Sequence, residues 1–314
     1  MKKLFPVLLA LAFLITSCQI GGSGAAEPTP IPIATGYPTP TAIPLNPTVA
    51  PSGDKPAAGT ERVSPVDGMI QVYAPEGSFY MGGVDPAAAL DEEPDHKVTM
   101  HSFWMDKVEV TNAMYKLCAA AGACEPLRTT KSQTRMMYYN DPQYADYPAV
   151  YATWNEATAY CKWAGRHLPT EAEWERAGRG DDFRIYPWGD EPPDSSRANF
   201  NFQVGDTTRV GSYAAGASPY GALDMAGNVA EWVNDFYDPV YYNKLVNFNP
   251  MGPTARANYY ARVVRGGTFQ DAGRDIRVSD RSQVLGPDPN ALIGSPQYYG
   301  DYSPKIGFRC VSDN

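Results

Sequence analysis

The sequence predicts an α+β domain with a high irregular content, and three observations lead there. Apolar residues fall at helical spacing in only a few short stretches. Strand-like segments are short and scattered. Residues 181–219 are mostly Gly, Pro, Asp and Asn with no periodicity. So long a run without regular structure is uncommon in a packed domain and is usually functional or pinned by ligands.

The elements follow in order. Met69–Tyr73 and Gly77–Gly83 read as two short strands around a turn. Residues 97–110 (KVTMHSFWMDKVEV) alternate apolar and polar side chains for much of their length, as one strand does. Thr111 is placed to cap a helix running through Cys118. Residues 154–163 (WNEATAYCKW) carry apolar side chains at helical spacing, with Asn155 near the start. Thr170-Glu171-Ala172-Glu173 is a capping box that opens the next helix, which Gly178 and Gly180 end. Val229–Asp235, Arg262–Thr268 and Gly307–Val311 read as the last strands. The six Trp residues read as core packing. There is no internal repeat.

Ahead of this domain, Met1-Lys2-Lys3 is a short positive region and Leu4–Ile15 an apolar run broken only by Pro6. The run is too short for a bilayer span, which needs roughly 20 apolar residues, but it suits a signal peptide over residues 1–17. Ile15-Thr16-Ser17-Cys18 resembles the lipobox of bacterial lipoproteins, which implies a diacylglycerol on the Cys18 sulfur and cleavage before it. The alternative is a secreted protein cleaved nearby. Residues 18–61 are then a Pro-rich, disordered stalk, with too little apolar surface to offset the entropy of ordering it. The domain proper is 62–314, and an extracytoplasmic, lipid-anchored place at the membrane follows from this reading.

The chain carries 35 acidic and 26 basic residues, a net charge of -9, and no Lys/Arg cluster, which excludes nucleic acid as a partner. With Cys18 set aside, Cys118, Cys124, Cys161 and Cys310 remain, an even number that suits an oxidising compartment and allows three pairings. The short Cys118–Cys124 separation makes a local bridge easy to close, and Cys161–Cys310 would then tie the middle of the domain to its last strand. Free thiols are the alternative.

Seven segments together resemble the formylglycine-generating enzyme (sulfatase-modifying factor) family: Gly77–Gly83, Asp106–Asn112, Gly165–Glu175, Tyr186–Gly189, Asp224–Trp232, Arg265–Thr268 and Ile306–Cys310. They occur in the family's order and cover about residues 66–312. The resemblance implies a decorated C-type-lectin-like fold and supports the Cys161–Cys310 pairing. It also implies two calcium sites. One takes Asp224 and Glu231 side chains with the Gly227 and Val229 carbonyls, and the other begins with Asn199 and Phe200, with Asp206 as a further candidate. Oxygen-only ligands at such spacing suit calcium as a structural ion.

The family's oxidases hold Cu(I) with two cysteines just after the Gly-Gly-Ser strand. Here Thr268 replaces the serine, Asp271 stands near the first cysteine position, and no thiol is nearby, so copper is not expected. Thr268, Asp271, Asp275, Arg277 and Arg281, with Arg274 and Asp280, are candidates for an altered polar cleft. A surface ion-pair network is the other reading of these charges. His96, His101 and His167 are not at metal-ligand spacing, which argues against the iron-dependent branch of the family. The expected function is a monomeric, non-catalytic, calcium-stabilised module binding a protein, peptide or glycan. The alternatives are a formylglycine-generating oxidase, or a modifying enzyme acting on another peptide.

Overall fold

The structure is a computed structural model that describes residues 55–253 and 260–313. The signal-peptide segment, Cys18 and the stalk up to residue 54 lie outside the described residues. Ten strands are present among those described. β1 (Glu61–Val63), β2 (Ile70–Ala74), β5 (Phe103–Asp106) and β10 (Val311–Asp313) form one antiparallel sheet in the order β1-β2-β5-β10. β3 (Gly77–Met81) and β4 (His96–Met100) pair as a separate ribbon. A third sheet runs β8-β7-β6-β9, from β8 (Arg281–Leu285), β7 (Ala261–Arg265), β6 (Ala230–Phe236) and β9 (Ile306–Gly307), with only the β6–β9 pair parallel.

The two strands expected around a turn, β2 and β3, are both present, and each pairs in a different sheet. Two expectations are corrected here. Residues 97–110 are two strands rather than one, parted at His101-Ser102 so that β4 joins the ribbon and β5 the first sheet. The Gly307–Val311 segment is likewise divided between β9 and β10. The stalk boundary also shifts: the Gly59 amide donates to the Tyr73 carbonyl at 2.9 Å and Glu61 pairs with Val72, so the fold begins before residue 62.

The helices follow their local signals. α1 (Asn112–Ala120) is capped by Thr111, whose hydroxyl accepts from the Met114 amide. α2 (Trp154–Trp163) is capped by Thr153, one residue before the expected start, in a box with Glu156. Its Ala157, Tyr160 and Cys161, with Ala164 beyond, form a buried stripe against Tyr115 and Cys118 of α1. α3 (Glu171–Arg179) opens on the Thr170/Glu173 box and runs through Gly178 to Gly180. It is buried nearly all round, so its charges need internal partners. Glu175 pairs with Arg265 at 2.6 Å and Arg179 at 3.2 Å, and Glu171 pairs with Arg281 at 2.7 Å. Residues 181–219 contain only one 3-10 turn, as the composition implies.

Asp235 of β6 accepts from the Glu171 amide at the start of α3, at 2.9 Å. Burial, and next the Glu171 carboxylate, push its carboxyl up to about 8. The folded chain thus keeps a proton that the unfolded chain has already released, so this group's contribution to stability falls as pH rises from about 4 to about 8. Asp235→Asn should remove that part of the slope. Melting temperatures across this window would then change less with pH in the variant than in the wild type; identical slopes would contradict the assignment.

Candidate functional site

β7 ends in Gly266-Gly267, with φ of 89° and 66°. A Cβ on Gly267 would lie 2.4 Å from the Asp275 carbonyl oxygen, so the chain can turn here only without a side chain. The turn delivers Thr268 and Asp271 to a groove of about 340 Å³ whose walls include Gln283, Asp301, Tyr302 and Lys305. Asp271 Oδ2 accepts from the Thr268 amide at 2.8 Å, and Thr268 Oγ1 accepts from the Gln270 amide at 3.2 Å. Both side chains therefore close the turn on itself.

The donors in this groove are oxygens and one amine. Cys161–Cys310 and Cys118–Cys124 are both disulfides, so no thiolate in the described domain is available. Cu(I) is a soft ion that prefers thiolates, and a carboxylate bound into its own turn is a poor replacement. The residues present do not fit copper.

The charged candidates beyond Asp271 do not line an arginine-bearing cleft. Arg277 is buried, pairing two-pronged with Glu92 at 2.8 and 2.7 Å and reaching Asp85 at 3.2 Å. Arg281 is buried against Glu171 at 2.7 and 3.0 Å, with the Asp91 carbonyl at 2.6 Å. Neither guanidinium is left to grip a ligand anion, and neither belongs to a surface network. Asp280 lies 3.7 Å from Arg277, and burial pushes its carboxyl up to about 7. Only Arg274 and Asp275, paired at 3.1 Å, match a surface ion pair.

The loop 224–231 has a different character. Asp224, Gly227 and Asn228 all take positive φ (56°, 76° and 58°), which folds the backbone tightly. Asp224 is buried, with Oδ2 accepting from the Gly211 amide at 2.5 Å. Glu231 is buried and accepts from Arg309 at 2.7 and 2.6 Å and from the Trp174 indole at 2.8 Å. Glu109 completes the group: fully buried, it takes the Asn228 amide at 2.9 Å on Oε1, while Oε2 has no partner among the described residues. Burial, then Asp224 and Glu231, push the Glu109 carboxyl well above its usual range. Burial likewise pushes Asp224 up to about 6.

Three buried carboxylates thus face one guanidinium, leaving an excess of two negative charges if all are ionised. Such an excess is costly in a dry interior and is relieved by protons or by a dication. The charge excess and the orphaned Glu109 oxygen suit a dication such as calcium, while both Glu231 oxygens are engaged by Arg309 and the Trp174 indole in this fold. Glu109 was missed in the sequence, where its one signal is an acid between Val108 and Val110 at the end of a strand-like alternation.

The second expected calcium site is less complete. Asn199 Oδ1 is buried without a partner among the described residues, but the Phe200 carbonyl accepts from the Gln203 amide at 3.0 Å. Asp206 turns its carboxylate away, accepting from Ser132 (2.6 Å), the Thr134 amide and hydroxyl (2.9 and 2.7 Å) and the Thr207 amide (2.8 Å). It fastens the 132–135 loop, and only its backbone carbonyl meets Asn199. The histidines go to different neighbours: His96 to Tyr242, His101 to Phe248 and His167 to Glu173.

The family model described as "Sulfatase-modifying factor enzyme 1-like domain" matches residues 55–314. The chain belongs to the sulfatase-modifying factor family. The formylglycine-generating enzyme of Streptomyces coelicolor is 31% identical over 322 residues, covering 84% of this chain and 97% of that protein. The protein named serine/threonine-protein kinase pkn1 in Chlamydia pneumoniae is 36% identical over 248 residues, covering 76% of this chain but only 37% of its own length. Among solved structures, PvdO from Pseudomonas aeruginosa superposes with a TM-score of 0.63 at 25% identity, covering 82% of this chain and 99% of PvdO. Within this sulfatase-modifying factor domain, the Gly-Gly turn and the Asp224–Glu231 loop are both in place. The first presents oxygens and one amine, the second buried carboxylates.

Proposed function

We propose that this domain is a non-catalytic, calcium-stabilised binding or accessory module, held at an extracytoplasmic membrane surface by lipid on Cys18 and spaced from it by the Pro-rich stalk. The observation that carries the reading is the groove behind Gly267, where Asp271 is spent on the Thr268 amide and every domain cysteine is in a disulfide. Calcium would be held by the Asp224 and Glu231 carboxylates, the Gly227 and Val229 carbonyls and the Glu109 oxygen that lacks a partner. As a structural ion it would balance the buried acids and fix loops that have little regular structure. The groove itself, with Gln283, Asp301, Tyr302 and Lys305, suits hydrogen bonding to a peptide, protein or glycan.

The competing reading is an oxidase of the kind named among the relatives, or another protein-modifying enzyme. Purified full chain, Cu(I), oxygen and a Cys-x-Pro-x-Arg peptide distinguish them. Mass spectrometry should find the cysteine unchanged. Conversion to formylglycine that stops on copper removal would overturn the non-catalytic reading.

A further inference from the structure

We propose that His167, Glu173 and Asp313 form a separate binding site for a first-row transition-metal dication, with Zn²⁺ as its reference ion. Three elements bring them together. His167 exchanges backbone hydrogen bonds with Val311 (2.9 and 2.8 Å), so the two side chains point to one face, and Asp313, two residues on in β10, returns to that same face. Glu173 comes from the first turn of α3, where Oε2 accepts from the Thr170 amide and hydroxyl at 2.7 and 2.9 Å. The capping box therefore fixes this carboxylate before any ion arrives, and Oε1 lies outside those bonds.

The three donor atoms are close enough to share one ion, and without one a protonated His167 forms an ion pair with Glu173. His167 Nε2 lies 3.6 Å from Glu173 Oε2, too long for a hydrogen bond. Two donors each about 2.05 Å from a tetrahedral ion lie about 3.3 Å apart, so a shift of a few tenths of an ångström would let them share one. One donor atom from each of the three residues lies within 4.8 Å of the others. An imidazole with two carboxylates is a borderline-to-hard set. Calcium would forgo the nitrogen, and Cu(I) would want sulfur, whereas Zn²⁺ accepts all three. Glu173 and Asp313 also form part of the wall of a groove of about 200 Å³ that includes His101 and Asn249. The remaining coordination position is left for water or for a donor group entering from that groove. The site is distinct from the Glu109–Glu231 cluster in residues and in chemistry.

The test is calorimetric titration of Zn²⁺ into the calcium-saturated full chain. One Zn²⁺ per chain is expected. His167→Ala should weaken binding about tenfold or more, and Asp313→Asn by a smaller factor. His101→Ala, which alters the groove but not the three ligands, should leave binding unchanged. Co²⁺ in place of Zn²⁺ should give a tetrahedral visible spectrum that His167→Ala abolishes. Absence of Zn²⁺ binding, equal binding in the wild type and His167→Ala, or an equal loss in His101→Ala would each overturn the assignment. All three positions are at the surface or partly so, and circular dichroism checks that each variant is folded.

Discussion

Arg309→Met is expected to destabilise the domain by about 3–5 kcal/mol, a fall in melting temperature of roughly 10 °C or more for a domain of this size. The guanidinium is fully buried and makes two bonds to Glu231. It also reaches the carbonyls of Asp106 (3.0 Å), Lys107 (3.3 Å) and Leu223 (2.9 Å). One side chain thereby joins the C-terminal segment to β6, to the end of β5 and to the approach to the Asp224 loop. Its loss leaves Glu231 unpaired beside Glu109 and Asp224, and removing one partner of a buried pair costs more than the pair contributed. Adding Glu231→Gln to Arg309→Met should recover part of the loss, because the stranded charge goes with it. A double variant as unstable as the sum of both single changes would contradict this charge account.

Opening the Cys161–Cys310 bridge is the second large effect. The bridge spans 149 residues, for which the chain-entropy model gives about 5 kcal/mol, against about 2 for the six-residue separation of Cys118–Cys124. Both Cys161 and Cys310 are fully buried in the cluster that holds Tyr160 and Phe308, so Cys161→Ala with Cys310→Ala also loosens packing. Thermal unfolding of the two alanine pairs side by side should show the long bridge costing clearly more. Equal losses would place the effect in packing rather than in loop closure.

What was legible in the sequence was local, and what was not depended on distant partners. Thr111, Thr153 and Thr170 cap helices through residues three positions away, so the helices could be read within a residue or two. The break at His101-Ser102 was not legible, because it follows from β4 and β5 finding strands in different sheets. β8 was missed because RSQVL begins on a charge that turns inward to Glu171, 110 residues earlier. The same cause misplaced Arg277, whose partner Glu92 lies 185 residues away. In the site, the Asp224–Glu231 loop is a compact motif that the family resemblance singled out. Glu109 could not be read, since it meets Asn228 across 119 residues. The Cys118–Cys124 bridge was readable from its short spacing, and the Cys161–Cys310 bridge from the family resemblance.

The measurement that bears most directly on this account is a calcium titration of the metal-free full chain followed by thermal unfolding. Near pH 7.5, saturating Ca²⁺ should raise the melting temperature by about 5–10 °C, as expected for roughly 3 kcal/mol of binding linkage. Near pH 5 the gain should be smaller. Burial raises the Glu109 and Asp224 carboxyls in the calcium-free fold, so protons relieve the buried charge there, and Asp224 loses its proton as pH climbs through about 6. Glu109→Gln with Asp224→Asn should abolish the calcium response and bring the metal-free melting temperature near neutral pH up towards the calcium-bound value. A wild-type melting temperature that neither calcium nor a chelator moves would contradict the account.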